Sequence, residues 1–154
     1  MEQHAEIVVD GEPVGKGRPK FTRQGNYVKT YTPEKTAEYE NLIRTVYRLT
    51  AKNKQYQTVY FPAGTPVSVH IRAYYGIPKS TGKAKSEEML SGRIIPLKKP
   101  DLDNVCKIVC DALNGVAYAD DRQIAELSCC KFYSRKPRIE VTIKKFSERK
   151  EHLS

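Results

Sequence analysis

No stretch of this 154-residue chain approaches the roughly 18 consecutive apolar residues that a membrane-spanning helix needs, and its first residues do not read as a secretory signal. A protein of the cytoplasm, with no membrane partner, is therefore expected. Cysteine is scarce. Cys106, Cys110, Cys129 and Cys130 form no C-x-x-C pair and show neither zinc nor disulfide spacing, which argues against a disulfide framework or a zinc module. All four read as buried thiols in a reducing compartment. The three histidines, His4, His70 and His152, are scattered, so nothing supports a histidine metal site or a catalytic triad. The absence of a G-x-x-x-x-G-K-[ST] loop argues against a phosphohydrolase of small phosphates. Acidic residues are the minority, 18 against 27 lysines and arginines. The resulting net charge of +9 and pI of 9.4 favour an anionic partner, nucleic acid first, over a basic surface that is merely solvated.

What is present suits one domain with a real core. A chain of this length buries roughly two-thirds of its unfolded surface, and 39% of its residues are hydrophobic. Residues 5–10 read as a strand, and residues 21–23 and 27–31 as a hairpin around Gln24-Gly25-Asn26. Thr32-Pro33 opens a first long helix over 33–50, Thr as cap and Pro at the first helical position, with Tyr39, Leu42, Ile43, Val46 and Leu49 at helical period. Tyr39 and Tyr47 fall at core spacing. Residues 67–75 alternate, placing Val67, Val69, Ile71, Ala73 and Tyr75 on one face. Residues 76–98 have no clear period and read as a mobile loop, with a short helix near 85–90. A second long helix spans 102–114, its buried face Val105, Ile108, Val109 and Ala112, and ends at Gly115. Strands follow at 123–133 and 138–145, then a polar tail over 147–154. The expected fold is mixed α/β (α+β): one domain, a partly antiparallel sheet of about five or six strands, and two main helices.

The densest chemistry lies in residues 99–121, KPDLDNVCKIVCDALNGVAYADD. Asp101 and Asp103 open the second long helix, with Lys107 one turn inside it on the Asp103 face. Asp120 and Asp121 follow the helix. Crowded carboxylates raise one another's pKa, and a hard divalent cation such as Mg²⁺ relieves that cost through oxygen ligands. Each piece also has a plain structural explanation: a helix cap with an i,i+4 ion pair for the first group, a tight turn for the second. A tight return through 116–119, followed by a strand beside the helix, would let Asp121 meet Asp101 and Asp103. The helix is about 20 Å long, and six extended residues cover a similar distance. Because strand neighbours point to opposite faces, only one of Asp120 and Asp121 is expected to join.

Cations crowd two polar stretches. Lys16, Arg18, Lys20, Arg23 and Lys29 lie near the N-terminus, and Lys79, Lys83, Lys85, Arg93, Lys98 and Lys99 in and after the long loop. Both stretches suit a phosphate backbone; ordinary solvated charge is the alternative.

These residues resemble the RusA family of crossover-junction endodeoxyribonucleases, the Holliday junction resolvases. The likeness rests on KPDLDNVCKIVCDALNG with YADDRQI, and extends to GEPVGKGRPKFT and YTPEKTAEYE, covering most of residues 7–133. It implies a RusA-like fold and a homodimer that binds four-way DNA junctions and makes paired nicks during recombination and repair. Mg²⁺ is the implied cofactor, with Mn²⁺ able to substitute. It also implies metal-binding, catalytic carboxylates at Asp101, Asp103 and Asp121, with Asp120 matching the neighbouring position of the D-D pair, and a required lysine at Lys107. Arg18 and Lys20 fall where the family carries a basic pair, Lys20 standing where Arg is frequent. Lys16, Arg23, Lys98 and Lys99 join them as candidate DNA contacts. The alternative is a basic nucleic-acid-binding module without catalysis.

Overall fold

A computed structural model describes residues 3–31 and 33–148, with backbone only at Tyr31. The expected cap at Thr32 and residues 149–154 of the tail lie outside them. The elements run β1 (His4–Asp10), β2 (Lys20–Gln24), β3 (Tyr27–Tyr31), α1 (Glu34–Thr50), β4 (Val67–Gly76), α2 (Lys83–Leu90), α3 (Leu102–Leu113), β5 (Ile124–Ser134) and β6 (Arg138–Lys145). The fold is mixed α/β: a four-stranded sheet ordered β1-β6-β4-β5 and a separate β2-β3 hairpin. β6 pairs antiparallel with both β1 and β4, whereas β5 joins β4 in parallel, so the chain between them must cross over. α2 and α3 form that crossover, which brings residues 99–121 against the sheet.

Alternation sorts the sheet faces. Ala5, Ile7 and Val9 of β1, the five expected residues of β4, and Ile139, Val141 and Ile143 of β6 form one buried surface. α1 and α3 cover it, α3 through Val105, Ile108, Val109, Ala112 and Leu113. Asn114 takes the C-cap and Gly115 follows at φ +78°, the left-handed geometry that glycine tolerates.

Several expectations are corrected. α1 buries Thr36, Tyr39, Ile43 and Tyr47, while Leu42 and Leu49 are exposed. The helix meets only β1 and α3 in force, so its buried stripe is narrower than its apolar pattern. Pro33 takes the N-cap position and the helix begins at Glu34. α2 starts earlier than expected and buries Ser86 and Met89. Of the cysteines only Cys110 is buried: Cys106 on α3 and Cys129 on β5 are half-buried, and Cys130, on the edge strand β5, is exposed. Among the described residues, no helix is long and apolar enough to cross a membrane.

Candidate functional site

The chain enters the site through a cis Lys99–Pro100 peptide, and the Tyr75 hydroxyl donates to the Pro100 carbonyl. Asp101 then occupies the N-cap of α3 in extended geometry (φ −70°, ψ 151°), yet its carboxylate makes no capping hydrogen bond. Asp at this position normally accepts from the backbone two or three residues on. Here the acid is exposed and unused by the helix. Asp103, in the first turn, is exposed as well. Lys107 pairs not with Asp103 but with Asp111 (Nζ to Oδ2, 3.7 Å). The plain structural explanations for Asp101 and Asp103 therefore fail one by one.

Asp111 is the hub of a charge network that the sequence reading missed. It also accepts Lys16 (3.3 Å), which is bound in turn to Glu40, and Arg44 approaches Glu40 at 3.7 Å. Burial opposes the charge on Lys16, but Glu40 and Asp111 outweigh it and raise its pKa. Lys16 is thus tied into the protein body, whereas Arg18, Lys20 and Arg23 are exposed. Helical spacing from Lys107 to Asp111 was the available signal; the reach of Lys16 was not.

The acidic pair after the helix divides its labour. Asp120 caps the 3-10 turn Asp121–Gln123: it accepts the Arg122 amide at 2.9 Å, and the Gln123 side chain accepts the Asp120 amide at 2.9 Å. The Arg122 amide and guanidinium hold its pKa below the usual carboxylate value. Gln123 Nε2 donates to the carbonyls of Phe61, Pro62 and Thr65 at 2.9–3.2 Å, clamping the turn to the 61–65 loop. Asp121, half-buried, is left without an ion pair among the described residues.

Asp121 returns along the helix, but by turns rather than by a strand. Residues 114–118 fold back, the Tyr118 hydroxyl donates to the Cys110 carbonyl at 2.7 Å, and Asp121 stands close enough to raise the pKa of the Tyr118 hydroxyl and the Cys110 thiol, after burial and other neighbours. Asp103 instead acts on Cys106, after the Cys129 hydrogen bond that lowers that thiol and the burial that opposes it. Cys110 lies seven residues beyond Asp103, about 10 Å along the axis. Asp121 thus stands beside the Lys107–Asp111 stretch, while Asp101 and Asp103 mark the helix start. Among the described residues, no three His, Cys, Asp or Glu side chains are grouped closely enough, as placed, to hold a metal ion. The donors nevertheless suit one: Asp101, Asp103 and Asp121 are hard-oxygen groups with no cationic partner among the described residues, in a chain carrying 27 lysines and arginines.

Beside Asp101 opens a groove of about 720 Å³, with Lys16, Lys35, Lys98 and Lys99 on its walls and Asn104 at its edge. Lys35, in the first turn of α1, was not singled out from sequence, because it stands alone there among acids and polar residues.

A basic α/β protein with exposed carboxylates at the start of a helix that carries an exposed lysine, next to a lysine-lined groove, has the parts of an enzyme that works on polyanions. Residues 10–144 match the family model "Endodeoxyribonuclease RusA", and the chain belongs to the RusA family of endodeoxyribonucleases. It is also 36% identical over 143 residues, 92% of this chain and 96% of the other, to the uncharacterized protein YqaN of Bacillus subtilis strain 168.

Proposed function

We propose that this chain is a divalent-metal-dependent endonuclease, a single nuclease domain acting as a homodimer in the cytoplasm, which resolves four-way DNA junctions by paired nicks during recombination and repair. The observation that carries this reading is the state of Asp101 and Asp103. Each stands where a cap or a helix ion pair would use it, and neither is used. Asp101, Asp103 and Asp121 would hold Mg²⁺, or Mn²⁺ in its place. Once bound, such an ion supplies Lewis-acid polarisation of a phosphoryl oxygen and a lowered pKa for its water.

The chain's own groups do the rest. Lys107, exposed and held at arm's length by Asp111, neutralises charge developing on phosphorus. Asp120 and Gln123 fix the backbone that presents Asp121. Lys35, Lys98 and Lys99 in the groove, with Arg18, Lys20 and Arg23 exposed on and before the hairpin, hold strands by their phosphates, which positions DNA without reading sequence. A two-fold dimer matches a nearly two-fold junction and would place two sites for symmetric cuts.

The second reading, a binding module whose acids only cap and turn, draws on Asp120, which does cap, and on the separation of Asp121 from the helix start. The deciding assay compares cleavage of a mobile four-way junction and a linear duplex, with Mg²⁺ and with chelator. Paired nicks in the junction alone, only with metal, are expected. Binding without cleavage under every metal condition would favour the module.

A further inference from the structure

The β2–β3 hairpin has no place in the core. Every described side chain from Arg18 to Thr30 is exposed, and neither strand packs in force on any element but its partner. A lone two-stranded hairpin is marginal in water, and polar faces are its ordinary defence. This one exposes Phe21 (70%), Tyr27 (79%) and Val28 (63%). The register places Phe21, Arg23 and Val28 on one face, and Lys20, Tyr27 and Lys29 on the other. Residues 18–31 contain four cations, Arg18, Lys20, Arg23 and Lys29, and no acid. Aromatic rings interleaved with unopposed cations complement stacked bases on a phosphate backbone rather than an apolar protein surface.

The root of the hairpin is pinned to the candidate site. The Lys16 amide donates to the Asn104 carbonyl at 2.9 Å, and the Gly17 amide to Thr36 Oγ1 at 3.0 Å. Gly15 fits so tightly that a Cβ there would lie 2.8 Å from Pro100 Cβ and 2.9 Å from Asn104 Cβ. The arm therefore leaves the body beside Asp101, and five extended residues carry its tip about 17 Å outward.

We infer that this hairpin is a nucleic-acid arm, stacking Phe21 and Tyr27 on bases freed at a DNA branch point while its four cations hold the adjoining phosphates. The inference rests on the junction-nuclease reading and adds to it where the preference for branched DNA originates. In a linear duplex every base pair is stacked on both sides, and freeing a base costs a few kcal/mol; at a branch point the stack is interrupted, which lowers that cost.

The test uses the full-length chain and the variant F21A/Y27A, with chelator present to stop cleavage. Affinities are measured for an immobile four-way junction and for linear duplex, alongside the thermal midpoint and the mass in solution. The variant should keep its midpoint, since both rings are exposed. Its junction affinity should fall about 10- to 100-fold, with duplex affinity nearly unchanged because phosphate contacts remain. In the wild type, 2-aminopurine at the branch point should be quenched on binding, and in the variant it should stay bright. An unchanged junction-to-duplex ratio overturns the inference and leaves the nuclease reading standing. A fall in mass alongside the lost affinity also overturns it, by assigning the arm to subunit contact. A wild type that does not prefer junctions sinks the nuclease reading itself, before any variant is compared.

Discussion

Asp101, Asp103 and Asp121 share a chemistry that Asp120 and Asp111 do not, and the difference is one of partners. Asp111 is neutralised by Lys107 and Lys16, and Asp120 by Arg122 and a backbone amide. Asn substitution at Asp101, Asp103 or Asp121 should therefore lower metal-dependent junction cleavage by more than about a hundredfold, since even outer-sphere partners of a metal are worth 10–100-fold. Junction binding should be retained, and a gel-shift titration beside the cleavage assay checks both. Asp120→Asn should cost far less cleavage, because an amide oxygen still accepts from Arg122. Gln123 makes a separate case. Gln123→Leu leaves three loop carbonyls without their donor and should lower stability by about 1–3 kcal/mol in urea unfolding. Cleavage should fall with it, as the turn that presents Asp121 loosens.

α3 carries much of the candidate site and part of the core at once: Val105, Ile108, Val109, Ala112 and Leu113 face the sheet, while Asp103, Lys107 and Asp111 face away from it. Its buried thiol sets an alkaline limit. Burial, with help from neighbouring Cys106, Asp111 and Asp121, pushes Cys110 up to about 12 from an ordinary value of 9. A raised acid keeps its proton in the folded state after the unfolded chain has lost it. Stability therefore holds below pH 9 and declines between about pH 9 and pH 12. Tyr75, also pushed up to about 12 chiefly by burial, adds to the decline above pH 10. Cys110→Ala cannot titrate, so its stability deficit relative to wild type should shrink between pH 8 and pH 10 in urea unfolding.

Over the whole molecule the exposed cations gather in two places: lysines line the groove beside Asp101, and further cations stand on the hairpin. Neutralising about 6–10 phosphates should make junction affinity fall roughly 10³–10⁵-fold between 50 and 200 mM salt. Fluorescence anisotropy across that range measures the slope, and a flat response would contradict a phosphate-gripping surface. Lys35→Gln should reduce the slope by about one, whereas Lys16→Gln should chiefly destabilise the fold, because Glu40 would lose its shortest contact.

Local pattern alone determined much of this protein. Period-2 alternation marked the inner face of β4. The 3.6-residue period set α3 to within a residue, and Gly115 its end. The resemblance carried by KPDLDNVCKIVCDALNG with YADDRQI pointed to the RusA family, to which the chain belongs. These features depend on residues close in sequence, where backbone geometry maps position directly onto direction. Tertiary structure alone decided the rest. α1 buries Tyr39, Ile43 and Tyr47 but not Leu42 or Leu49, because neighbouring elements, not apolarity, set the width of a buried stripe. Lys16 meets Glu40 and Asp111 across long separations in sequence. Asp121 comes back beside Cys110 through a turn clamped by Gln123, a path set by three carbonyls some sixty residues away. Contacts of that reach leave no period in a sequence, because they are made only when separately folded segments come to rest against one another.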